Sequence, residues 1–179
     1  MCALVIGIAD CKVSKDPEDT LITHALGSCI AVLVYDAVAR VAGMLHFMLP
    51  ESSIDANKAG ERPYMFADTG IPLLFKNACD LGASKSRMAV MAAGGAQMLD
   101  PNGTFNIGQR NHTAMRKIFW KAGIIVHKEE VGGTNSRTIS LDVASGRVQL
   151  RSPGAPALDM TIQAKGKGAG DGLQHTNRR

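Results

Sequence analysis

Residues 23–49 read THALGSCIAVLVYDAVARVAGMLHFML, and two apolar runs within this stretch decide the fold class. CIAVLVY (29–35) has the length and β-branched content of a buried strand, and RVAGMLHFML (40–49) resumes after only Asp36 to Ala39. So short a gap suits a hairpin, which makes the two runs antiparallel neighbours. Cys29 then opens one strand and His46 lies well along the other. Their separation in sequence does not keep them apart in space.

Working outward, LVIGIA near the start and TLIT (20–23) read as further strands, the second ending at Thr23. The polar stretch ESSIDANKAGERP (51–63) has the composition of a surface loop. Ile71, Leu74, Phe75 and Ala78 recur at helical spacing and predict a helix ending near Gly82, with Pro72 limiting its upstream extent. Met115, Ile118, Phe119 and Ala122 predict a second helix, with Asn106 as N-cap and Gly123 at its end. RMAVMAA (87–93), IIVHKEEV (124–131), RTISLDV (137–143) and RVQLR (147–151) read as strands, the last two joined by a tight turn at Ser145-Gly146. Strands interrupted by two helices indicate a layered α/β or α+β domain.

The chain has 179 residues, enough for one core, so a single domain over 1–162 is expected. No apolar run reaches the roughly 18 residues of a membrane span, and no secretory signal pattern opens the chain, so the protein reads as cytoplasmic without membrane insertion. The formal charge is +4. Lys165, Lys167, Arg178 and Arg179, against Asp171, place most of it after residue 162, in a Gly-rich tail (163–179) expected to be disordered. The body is too nearly neutral for the basic stripe of a nucleic-acid binder. Cys2, Cys11, Cys29 and Cys79 lack metal-ligand spacing and read as free thiols.

Gly27 and Ser28 imply a turn immediately before Cys29. A thiol at such a strand edge, near free backbone N–H groups, has the setting of a nucleophile, because those groups lower its pKa and can stabilise an oxyanion. A small buried filler is the competing reading of Cys29, and residue chemistry alone favours it. His46 interrupts an apolar strand and must find a hydrogen-bond partner, a thiol or another core group. His24 is a rival base, five residues before Cys29. Thr23 could orient a histidine ring or merely satisfy a turn. The glycine loops AAGGA (92–96) and VGGTN (131–135) lack the full phosphate-binding patterns and fit tight turns or close backbone approach equally well.

Taken in order, LGSCIAV with Thr23 upstream, VAGMLHFMLP, AAGGAQM, NIGQRN (106–111) and VGGTNSR closely resemble the chemoreceptor glutamine deamidase family CheD, over about residues 4–152. The resemblance implies a cysteine amidohydrolase, a protein-glutamine glutaminase. Such enzymes convert glutamines of methyl-accepting chemotaxis receptors to glutamates; some also cleave receptor methyl esters. It implies packed mixed β-sheets with flanking helices, similar to a cytotoxic deamidase toxin. It assigns catalysis to Cys29, His46 and Thr23, and so chooses His46 over His24. Gly27 and Ser28 are the expected oxyanion-hole or substrate-binding positions, and the chemistry requires no metal or organic cofactor. Many members also bind the phosphatase CheC. The alternative from another class is a non-catalytic adaptor for receptors or a phosphatase. No role is implied for Cys2, Cys11, Cys79 or the tail.

Overall fold

The computed structural model of the protein describes residues 2–97 and 106–162. The expected disordered tail (163–179) and the end of the AAGGAQM motif lie outside the described residues. The strands are β1 (Cys2–Val5), β2 (Asp10–Ser14), β3 (Asp19–Leu26), β4 (Ile30–Asp36), β5 (Val41–Phe47), β6 (Ala89–Gly94), β7 (Lys128–Val131), β8 (Arg137–Asp142), β9 (Val148–Arg151) and β10 (Leu158–Asp159). Helices α1 (Ala56–Glu61), α2 (Ala67–Asp80) and α3 (Ile107–Lys121) complete the α+β fold.

The strands form two mixed sheets, β1-β3-β8-β9-β10 and β2-β5-β4-β6-β7. The expected hairpin is present: β4 and β5 pair antiparallel from Ile30↔Phe47 to Asp36↔Val41. One face of the second sheet packs Ala31, Leu33, Ala42, Met44, Met91 and Ala93 against Leu21, Leu26, Ile139, Leu141 and Val148 of the first. Its other face packs Ile30, Val32, Leu45 and Phe47 under Ile71, Leu74 and Phe75 of α2 and Met115 and Phe119 of α3. Both faces are therefore covered, which explains why IAVLVY is continuously apolar. The first sheet has one wet face, and RTISLD alternates buried and half-buried residues accordingly. Each large side chain in these layers contributes on the order of 2 kcal/mol of burial.

Several expectations need correcting. The strand β2 was not anticipated: DCKVS alternates, with Cys11 and Val13 facing the helix layer, but two small apolar residues in five make a weak signal. IIVHKEEV forms a strand only from Lys128 onward; Ile125 is exposed and His127 precedes the strand, its Nδ1 accepting from the Val90 N–H at 3.1 Å. The polar loop contains α1, nucleated by the Asp55 carboxylate, which accepts from the Lys58 N–H at 3.0 Å. Helix α2 starts at Ala67, five residues upstream of Pro72. Asn106 does precede α3, but in the left-handed region and without a side-chain cap; its carboxamide instead accepts from the Gln97 side chain. No helix among the described residues is long and apolar enough to cross a membrane.

Candidate active site

Three elements meet where the second sheet ends above Ile30. Cys29 directly precedes β4, and Ala31, two residues on, stands opposite His46. Strand alternation puts the Cys29, Ala31 and His46 side chains on one face, with Cys29 and His46 diagonal neighbours. That face is the one turned towards the first sheet, where Cys29 packs against the inter-sheet cluster. Thr23 comes from the opposite sheet, on β3, and is fully buried.

The β3–β8 ladder is irregular between Thr23 and Leu26, and Ala25 has φ 53°. Thr23 therefore lies before a bulge rather than at the strand end expected from sequence. Strand alternation from Leu21 keeps Thr23 inward and leaves His24, the rival base, exposed, and the bulge after them returns Leu26 to the core.

Thr23 Oγ1 lies 2.7 Å from the Ile6 carbonyl oxygen and 2.8 Å from His46 Nδ1. A hydroxyl has one proton, and only donation to the Ile6 carbonyl satisfies that contact. Oγ1 then accepts from Nδ1–H, which defines the tautomer. Nε2 is left with a free lone pair, buried and without a hydrogen-bond partner among the described residues. Burial lowers the His46 pKa from 6.5 to about 4, opposed by the charge of Asp10, which stands opposite it on β2. The ring is neutral at pH 7.

Burial pushes the Cys29 thiol pKa up, and the residue's own backbone N–H lowers it only partly. The thiol is thus not a preformed thiolate, contrary to the expectation that nearby N–H groups would depress its pKa. Proton removal must accompany its attack, and an unprotonated imidazole on the same face can accept that proton.

The backbone around Cys29 is held from several sides. Its carbonyl accepts from the Gly95 N–H at 2.7 Å and the Gly27 carbonyl from the Ala96 N–H at 2.8 Å. A Cβ on Gly94, whose φ is 119°, would lie 2.2 Å from the Cys29 carbonyl oxygen. The AAGGA loop is therefore a close backbone approach, which is what its glycines are for. Arg137, buried on β8, donates to the Gly94 and Gly132 carbonyls at 3.3 and 2.7 Å and ties the VGGTN loop to this end of the fold. Gly94→Ala is expected to cost several kcal/mol, because backbone strain and a backbone clash coincide. A lower denaturation midpoint together with faster alkylation of Cys29 would reveal the displaced loop.

His112 lies on α3 and pairs with Glu129. Cys2 and Cys79 are exposed and Cys11 is half-buried, all as free thiols.

The family model described as "CheD chemotactic sensory transduction" matches residues 48–152. The chain is 54% identical over 151 residues to the "Probable chemoreceptor glutamine deamidase CheD" of Solibacter usitatus, covering 84% of this chain and 89% of that protein. The chain belongs to the CheD family. A family relative from Syntrophus aciditrophicus, "Probable chemoreceptor glutamine deamidase CheD 1", is 47% identical over 157 residues, covering 88% of this chain and 98% of that one. The Pyrococcus abyssi member of the family is 38% identical over 148 residues, covering 82% of this chain and 89% of its own. The match to the family model starts at residue 48, beyond Thr23, Cys29 and His46.

Two residues of this end of the fold escaped the sequence reading. Asn111 was read only as the last residue of NIGQRN, and Arg137 only as the last residue of VGGTNSR and the first of RTISLDV, with no task given to either side chain. A buried Arg or Asn has no periodic signature; only the carbonyls that it meets identify its task.

Proposed function

We propose that this protein deamidates glutamine side chains of methyl-accepting chemotaxis receptors, with Cys29 as nucleophile, His46 as base and Thr23 as the residue that orients the base. The observation that carries this reading is the Ile6–Thr23–His46 relay, which leaves a buried, unpartnered Nε2 on the face shared with Cys29. Membership of a family whose relatives are named chemoreceptor glutamine deamidases supports the substrate.

The Cys29 proton passes to Nε2 as sulfur attacks the carboxamide carbon. The backbone N–H groups of the Gly27–Cys29 turn receive the developing oxyanion. The tetrahedral intermediate collapses, ammonia leaves with the proton from Nε2, and a thioester remains. Water then gives a proton to Nε2 and attacks the thioester, releasing glutamate and restoring the thiol. All steps use side chains and backbone of this chain. A relation to the cytotoxic deamidase toxin fold, receptors and a CheC-type phosphatase as partners, and a single catalytic domain over 1–162 belong to the same reading.

The test is incubation of the purified protein with receptor cytoplasmic fragments, followed by peptide masses. Each converted glutamine gains about one mass unit, as amide hydrolysis requires. Receptor binding without any conversion would instead favour the adaptor.

Thr23→Val removes both the proton given to Ile6 and the acceptor for Nδ1–H. Deamidation is expected to fall roughly 100-fold as the tautomer and ring orientation are released. Thr23→Ser keeps the hydroxyl and should recover most of the rate in the same assay.

A further inference from the structure

We infer that Asn111 is a positioning residue of this site, clamping the segment that carries Cys29 to the strand that carries His46. The inference rests on the catalytic reading above.

Asn111 is fully buried on the inward side of α3. Its Nδ2 donates to the Ser28 carbonyl at 3.0 Å and to the Met48 carbonyl at 2.9 Å. Ser28 immediately precedes Cys29, and Met48 is two residues beyond His46. The β4–β5 register ends at Ile30↔Phe47, so Cys29 and Met48 are the next residues where the ladder stops. One carboxamide NH2 thus replaces the ladder at the point where the two strands part. Turning the amide over would set Oδ1 against two carbonyl oxygens, so its orientation is determined.

Oδ1 is buried and has no partner among the described residues. An apolar residue would fill this position without that desolvation cost, so packing alone does not account for an asparagine here. The two donated bonds do account for it. Helix α3 is itself anchored, by Met115 and Phe119 in the helix layer and by Gly108, where an added Cβ would lie 2.3 Å from the Gly95 carbonyl oxygen. The clamp therefore refers both reacting groups to one rigid helix.

The test compares Asn111→Leu, which loses both donors, with Asn111→Asp, which has the same shape, and with Leu74→Ala in the helix layer as a control for lost stability. Each is assayed below its unfolding transition for kcat and KM on a receptor fragment, for its pH profile, and for alkylation of Cys29 by iodoacetamide. Asn111→Leu is expected to lose about 100-fold in kcat, the cost of misplacing reacting groups by about 1 Å, with KM within about threefold. Asn111→Asp should regain activity as pH falls, because the protonated carboxyl can donate to one of the two carbonyls. Leu74→Ala should keep its kcat despite a comparable drop in Tm. An unchanged kcat in Asn111→Leu, or a loss that Leu74→Ala shares, would overturn the inference. Alkylation separates this from failure of the catalytic reading. A receptor-inactive wild type would refute that reading, whereas Cys29 alkylation identical in wild type and Asn111→Leu would refute the clamp.

Discussion

Cys29→Ala is expected to reduce receptor deamidation by roughly 10,000-fold or more, since removal of a nucleophile leaves only binding and oxyanion stabilisation. No other thiol can take over. Cys11 packs on the helix side of the second sheet, and Cys2 and Cys79 are exposed elsewhere on the surface. The substitution removes one sulfur from a half-buried position, so stability should change by only about 1 kcal/mol. Peptide masses read the activity and a denaturation midpoint reads the fold. Conversion retained by a folded Cys29→Ala protein would sink the covalent mechanism. Because burial raises the thiol pKa, Cys29 of the free protein is expected to alkylate no faster at pH 7 than Cys2 or Cys79. Rapid, selective labelling of Cys29 would instead indicate a resting thiolate.

His46→Gln is expected to lower the rate about 1,000-fold, because glutamine can still bond to Thr23 but cannot accept the thiol proton. The pH dependence gives this prediction a sign. His46 must be neutral to act as base, and its pKa is lowered to about 4, so kcat/KM should hold down to mildly acidic pH and fall only towards that value. An acid limb near 6.5 would mean that the ring is more solvated than the structure shows. The same shift acts on stability. Between pH 6.5 and 4 the unfolded chain binds the imidazole proton and the folded chain does not. The His46 contribution is therefore fully present above 6.5 and is lost as pH falls towards 4, by an amount on the order of 3 kcal/mol. Chemical denaturation at pH 7 and 4.5 should show this loss in the wild type and a smaller one in His46→Gln.

The parts of this fold that were legible in the sequence are those built from neighbours in the chain. The β4–β5 hairpin follows from two apolar runs and a short gap, and it alone puts Cys29 and His46 on adjacent strands. Helices α2 and α3 follow from apolar spacing, although α2 extends upstream of Pro72. Strand β2 and helix α1 were missed because their local sequences are mostly polar; β2 adds only Cys11 and Val13 to the helix layer and owes its place to pairing with β5.

Taken by itself, the sequence determined the secondary elements with strong periodicity, the placing of Cys29 and His46 on the two strands of one hairpin, and the resemblance to a receptor glutamine deamidase family. Only the tertiary structure decided which histidine is buried, which of its nitrogens is free, and that burial pushes the thiol pKa up. The physical reason is that these properties depend on groups remote in sequence. Thr23 reaches His46 from the opposite sheet, Ile6 takes the threonine proton, and Asn111 closes the end of the hairpin from a helix. Desolvation between the sheets then sets both pKa values. Periodicity records which face of an element is apolar, but not which polar atom it will meet across the core.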